Sequence, residues 1–145
     1  MQARFDFYKA SPETMKAMFG AQKVIQATGL DERLIKLVEL RASQINGCAF
    51  CMHMHAGDAR KAGVPDEVLD TVAGWREAPW FSDRERAALA WTEQLTRLSE
   101  RRDDSREYDR LATHFSEKER TDLTYLIGVI NMWNRFSVGF RREPE

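Results

Sequence analysis

The sequence predicts an all-α fold: a single-domain helical bundle of about six to seven helices spanning residues 1–145. Three observations lead there. Apolar residues recur at three- and four-residue spacing through most of the chain. Ser and Asp residues stand where helices would open, and glycines stand where they would close. Only Phe5 to Tyr8 resembles a strand, and it is too short to build a sheet.

The elements follow in order. Ser11-Pro12-Glu13 starts a helix, with Ser11 placed to cap and Pro12 preset for the first helical position. That helix runs towards Gly29 and buries Met15, Met18, Phe19 and Ile25. Asp31 caps a second helix with the stripe Ile35, Val38, Ala42 and Ile45, and Gly47 ends it in the left-handed conformation. A third helix occupies about Cys48 to Ala62 and stops at Gly63. Pro65 opens a short fourth, carrying Val68, Leu69 and Val72. Ser82 to Glu85 is a capping box leading into Ala87, Leu89, Trp91, Leu95 and Leu98. Ser105 to His114 forms another short helix. Ser116 to Glu119 is a second capping box, opening a terminal helix through Leu126, Val129, Ile130, Trp133 and Phe136.

Composition narrows the function. The 145 residues include 22 basic and 23 acidic side chains, a formal net charge of −1. That balance lacks the basic excess of a nucleic-acid footprint. The longest apolar stretch, Leu123 to Phe140, is broken by Asn131, Asn134 and Arg135, so it reads as a buried helix rather than a membrane span. The opening residues carry no secretory pattern, and a cytoplasmic location is expected. Two cysteines are too few for a disulfide framework, so they call for a chemical explanation.

The chemistry concentrates in the run Glu39 to His55. Cys48, Cys51 and His55 fall on one helical face, at relative positions 0, 3 and 7. The cysteines open their helix, where free N–H groups and the positive dipole end favour a thiolate. His55 follows Cys51 by four residues and can take its proton, and sulfurs one turn apart can exchange between dithiol and disulfide. Glu39 and His55 each lie eight residues from Gly47, on opposite sides, so an antiparallel hairpin would bring them level. Glu39 sits beside an apolar stripe, where a carboxylate needs a partner, and the imidazole is the natural one. The outcome is a Glu39–His55–Cys51 relay that activates a thiol.

Blander readings exist for each residue. Cysteines pack readily in cores. Cys48, Cys51, His55 and Glu39 could together hold zinc, but structural zinc sites usually draw on two separated knuckles, and no metal is expected. His53 points away from the sulfur face and reads as a surface or interface residue, and His114 as structural. Trp75, Trp80, Phe81 and Trp91 are expected to fill the core or an interface. Their crowding near residues 75–81 and the aromatics of the last helix point to a homo-oligomer.

The stretch Glu39-LRASQINGCAFCMHMHAGDARKAG strongly resembles the alkylhydroperoxidase D-like (AhpD-like) group of the carboxymuconolactone decarboxylase superfamily, and RERAALAWTEQLT and FSEKERTDLTYLIGVINMWNRF fit the same pattern. The resemblance implies an all-helical fold, assembly as trimers or hexamers, and a thiol-dependent antioxidant peroxidase or disulfide reductase. It casts Cys51 as the peroxide-attacking thiol, Cys48 as the resolving one, and His55 and Glu39 as the relay. No bound cofactor is implied. Electrons would come from an external thiol or a dihydrolipoyl donor, and a peroxiredoxin or a lipoyl carrier is the implied partner. Some members carry a second His between the cysteines, where this chain has Ala49 and Phe50. The alternatives are a carboxymuconolactone-type decarboxylase using His55 and Glu39 as acid–base groups, and a non-enzymatic redox-sensing assembly.

Overall fold

The computed structural model describes residues 2–100 and 105–144. Eight α-helices appear among them: α1 Phe7–Ala10, α2 Pro12–Gln26, α3 Glu32–Ile45, α4 Ala49–Lys61, α5 Asp66–Thr71, α6 Asp83–Thr96, α7 Ser105–His114 and α8 Glu117–Gly139. Short 3₁₀ turns follow α5 at Val72–Gly74 and α6 at Leu98–Glu100. No helix is long and apolar enough to cross a membrane among the described residues.

The helix count exceeds the expected six to seven because the segment read as a strand forms α1. Asp6 is the reason: its carboxylate accepts the backbone N–H groups of Tyr8 and Lys9 and so caps one helical turn. Phe7 then turns inward against Phe136 and Phe140. Ser11 does not cap α2; its hydroxyl pairs with that of Thr14 at 2.7 Å. Both capping boxes form, Ser82 with Glu85 and Ser116 with Glu119, and they start α6 and α8.

The bundle is built around α3, which packs against α4, α6 and α8. One face of α3, with Leu34 and Val38, meets Ala87 of α6, Leu111 of α7 and Leu123, Leu126 and Ile127 of α8. A second face, with Leu37 and Leu40, meets Ala59 of α4, Val68 of α5, Leu89 of α6 and Trp75. A helix covered on so many sides buries its polar residues as well: Glu39, Arg41 and Ser43 all lie inside. Each must find a partner there, because an unpaired polar group in a core is costly.

Several expected core residues are not in the core. Phe19 is 53% exposed because α2 lies at the edge of the bundle against α8 and turns Phe19 towards Tyr8 and Trp133. Leu98 lies beyond the end of α6 and is exposed. Of the four aromatics expected in the core or at an interface, Trp75 and Phe81 are buried, Trp91 is half-buried and Trp80 is exposed.

Candidate functional site

The site begins at the turn between α3 and α4. Gly47 adopts φ +63°, a left-handed conformation that glycine enters without strain. The N–H groups of Asn46, Gly47 and Cys48 bond back to the carbonyls of Ala42, Gln44 and Ser43, closing α3 and reversing the chain. Asn46 fastens the turn to α8: its amide donates to Oδ1 of Asn131 (3.0 Å) and Oδ1 of Asn134 (2.8 Å). Asn134 in turn donates to Ser43 Oγ at 3.1 Å. The I-N-G-C turn is therefore held by side chains from the other end of the sequence.

Cys48 is the N-cap of α4, and its Sγ meets the backbone N–H of Cys51 at 3.3 Å. The two cysteines form a disulfide, with their Cα atoms 5.3 Å apart. Both are almost wholly shielded, 2% and 1% exposed, so reagents reach them only through cavities in the surface.

The hairpin brings Glu39 and His55 level. His55 Nδ1 lies 3.2 Å from Glu39 Oε2, and both side chains are buried. The contact falls short of a straight hydrogen bond, and neither atom has a hydrogen-bond partner elsewhere. Lys36 Nζ stands 3.7 Å from the same oxygen. The other carboxylate oxygen, Oε1, accepts from Gln22 Nε2 at 3.2 Å, and Gln22 Oε1 accepts from Trp133 Nε1 at 3.2 Å. Indole N–H can only donate and a carboxylate can only accept, so Trp133 fixes which way the Gln22 amide faces. Burial alone would push the Glu39 carboxyl up. The His55 contact and charge, then Lys36 and Gln22, outweigh it and hold Glu39 below the ordinary carboxylate range. An ionised Glu39 calls for the proton of His55 on Nδ1, which leaves Nε2 as the free base.

Cys51, His55 and Glu39 all line one cavity of about 310 Å³, walled by Tyr8, Phe19, Phe50, Met54 and Trp133. A pocket of this size, with an aromatic wall facing polar and charged groups, suits a small organic molecule that carries a polar end. The imidazole makes no hydrogen bond to the bonded sulfur of Cys51, which has no proton to share. Arg142 closes one side: its guanidinium stacks 3.7 Å from the centre of the Phe50 ring and donates to the Tyr8 hydroxyl. His53 is exposed on the other face of α4. His114 lies in α7, where its carbonyl accepts from Arg84.

Gln22, Lys36, Trp133 and Arg142 escaped the sequence reading. Lys36 stands one turn before Glu39 on α3, a spacing that could have revealed it. Nothing in the spacing of the other three ties them to the hairpin, and Trp133 was expected only as core stripe. A second buried carboxylate escaped as well. Glu93 of α6 accepts from Arg41 Nε (2.8 Å), Trp75 Nε1 (3.0 Å) and Arg76 Nη1 (2.7 Å). Burial raises its carboxyl, and these three donors more than offset that, leaving it lowered. It neutralises Arg41 on the far side of α3 from the cysteines and is structural.

Residues 12–94 match the carboxymuconolactone decarboxylase family, a span covering more than half of the chain and including the whole hairpin. The chain belongs to the carboxymuconolactone decarboxylase family. Among curated members it is 36% identical over 138 residues to the uncharacterised protein YdfG of Bacillus subtilis, covering 95% of this chain and 94% of YdfG. It is 38% identical over 109 residues to YnjA of Escherichia coli, covering 74% of this chain and 59% of YnjA. Within the family its fold is AhpD-like. A crystal structure from Agrobacterium tumefaciens, described as a protein of unknown function and putative antioxidant defence protein AhpD, superposes with a TM-score of 0.96 at 40% identity, covering 99% of both chains. The debrominase Bmp8 shares the fold at 21% identity, with a TM-score of 0.85 over 92% of this chain and 72% of its own.

Proposed function

We propose that this family member is a thiol-dependent oxidoreductase that reduces organic hydroperoxides at the Cys48–Cys51 pair. The observation that carries the reading is a disulfide-forming Cys-x-x-Cys whose second cysteine shares a cavity with a buried Glu39–His55 pair. In the reduced protein, His55 Nε2 takes the Cys51 proton and Glu39 stabilises the imidazolium. The Cys51 thiolate attacks the outer oxygen of ROOH, the O–O bond breaks, and the departing RO⁻ takes the proton from His55. Cys51 is left as a sulfenic acid. Cys48 attacks that sulfur, water leaves, and the disulfide is the oxidised product of a dithiol that has given two electrons to the peroxide.

An external thiol must then restore the dithiol, either a small molecule or a dihydrolipoyl group on a carrier, and a peroxiredoxin is the protein partner this reading implies. No bound cofactor or metal enters this scheme. We also propose a homo-oligomer, a trimer or hexamer, as the resemblance to the AhpD-like group implies. Light scattering at micromolar concentration tests this; a clean monomer refutes it.

The test of activity is hydroperoxide consumption with excess dithiol, for wild type, Cys51→Ser and Cys48→Ser. The expected result is turnover in wild type alone, with Cys48→Ser accumulating a sulfenic acid on Cys51 that mass spectrometry locates. A faster reaction at Cys48 reverses the roles. Activity on a carboxymuconolactone that survives Cys51→Ser replaces the proposal with decarboxylation by His55 and Glu39.

A further inference from the structure

The two cysteines of the disulfide line different cavities. Cys51 lines the aromatic cavity with His55. Cys48 lines a second, wider cavity of about 660 Å³ that also touches Gly47, Val138, Arg141 and Glu143. Ser137 and Arg142 line both, so they form the partition between them.

The chemistry of disulfide reduction distinguishes the two sides. A thiolate attacks one sulfur in line while the other leaves, and the reaction is faster when the leaving sulfur is the better acid. His55 shares the Cys51 cavity and can protonate that sulfur as it departs, so attack belongs on Cys48. The Cys51 N–H that meets Cys48 Sγ is in place to stabilise a Cys48 thiolate at the next step.

The Cys48 cavity is also distinguished by charge. Among the described residues, Arg141, Arg142 and one carboxylate, Glu143, line it. Arg141 sits where the chain turns after α8, with φ +58°, while the N–H of Arg142 bonds back to Ser137 O at 2.8 Å. Glycine is the usual residue at that position of a helix end, so an arginine there is held against a backbone preference. The exposed Arg141 makes an anion-attracting mouth beside Cys48, while the Arg142 guanidinium is held over Phe50 on the Cys51 side of the partition.

We propose that the Cys48 cavity is a separate site for the reductant, and that it takes a small thiol bearing a carboxylate. This deepens the oxidoreductase reading and rests on it. The thiolate RS⁻ attacks Cys48 Sγ and forms RS–S–Cys48. The Cys48–Cys51 bond breaks, and Cys51 leaves with a proton that His55 Nε2, the free base of the oxidised protein, has taken up as the incoming thiol ionised. A second RS⁻ attacks the outer sulfur of the mixed disulfide, giving RSSR and the Cys48 thiolate. Two thiols are oxidised and one disulfide is reduced; one thiol proton ends on Cys51 by way of His55 and the other on His55, beside a Cys48 thiolate. Peroxide and reductant then use opposite sides of the sulfur pair and do not compete for one pocket.

The experiment starts from full-length protein oxidised with diamide, so it does not depend on any hydroperoxide reaction. Reduction is timed with mercaptoacetate, 2-mercaptoethanol and cysteamine, which are anionic, neutral and cationic, at equal thiolate concentration and low salt. Each rate is divided by that thiol's rate towards a small neutral disulfide, which removes differences in intrinsic nucleophilicity. On that scale mercaptoacetate is expected to be about tenfold faster than cysteamine, at the low end of electrostatic steering effects. Arg141→Glu should reverse that order, and Arg141→Gln, which keeps the side-chain length without charge, should level it. Acid quenching part-way, followed by mass spectrometry, should place the mixed disulfide on Cys48. Equal rates for the three thiols in wild type, an order unchanged by Arg141→Glu, or an adduct on Cys51 would each overturn the proposal. Should hydroperoxide prove inert while the charge order holds, the oxidant assignment fails and the reductant site stands.

Discussion

Glu39→Gln tests the relay with the least change in shape. The position of Gln22 decides what the new amide does. Trp133 holds the Gln22 oxygen, so the Gln22 NH₂ faces residue 39 and requires an acceptor there. The new amide must therefore offer its oxygen to Gln22 and its own NH₂ to His55. That favours a bare Nδ1 and a protonated Nε2, the wrong tautomer for a base facing Cys51. The charge is lost as well. At 3.2 Å and an effective dielectric of about 20, a full ion pair is worth at most about 5 kcal/mol. Opposite charges at such distances usually move a pKa by about 1–3 units, or roughly 1.4–4 kcal/mol. The apparent pKa of Cys51 should thus climb towards the free value of about 8.5, where only about 3% of the thiol is ionised at pH 7. Lost thiolate accounts for up to about thirtyfold, and impaired proton delivery to the departing alkoxide supplies the rest of an expected ten- to thousandfold fall in neutral-pH turnover. The assay is the pH dependence of Cys51 alkylation in a Cys48→Ser background, with and without Glu39→Gln, with helicity checked by circular dichroism. Coincident curves from two folded proteins would remove Glu39 from the relay and make it a structural carboxylate.

The same substitution carries a stability signature. Glu39 is lowered by folding, so its contribution is complete above the unfolded value of about 4.3 and fades as pH falls through the lower native value. Urea midpoints of wild type and Glu39→Gln should therefore show a constant difference above about pH 5 that shifts against wild type in more acid solution. Asn46→Ala removes two donations to α8 and leaves the Asn134 oxygen unsatisfied; a loss of about 1–3 kcal/mol is expected by chemical denaturation. Glu93→Ala strips the carboxylate from a buried Arg41 and should cost about 3–5 kcal/mol in the same measurement, a larger loss than Asn46→Ala.

What the sequence by itself determined about this protein is local. The two capping boxes, the left-handed Gly47 and the 3.6-residue period each act within a few residues, so they place helix starts, the reversal and the phase of Cys48, Cys51 and His55 without reference to the rest of the chain. The meeting of Glu39 with His55 was legible for the same reason, since a tight antiparallel turn makes equal separation from Gly47 equivalent to equal height. Asp6 was equally local and still passed unread, because a single capped turn has no period to reveal it.

Only the tertiary structure decided the rest. That α3 would be covered on most sides depends on α4, α6 and α8 packing around it. The burial of Arg41 and its rescue by Glu93, 52 residues away in sequence, could not show in either segment alone. Gln22 and Trp133 lie 111 residues apart and become one hydrogen-bonded chain with Glu39 only when α2 and α8 close over α3. Phe19 follows the apolar stripe of its helix yet lies half exposed, because the edge position of α2 leaves that face to a cavity. The sequence puts both cysteines at one helix start. Which cavity each one lines is set by the packing of Ser137, Val138 and Arg142 around them, since burial is a property of neighbours and not of spacing.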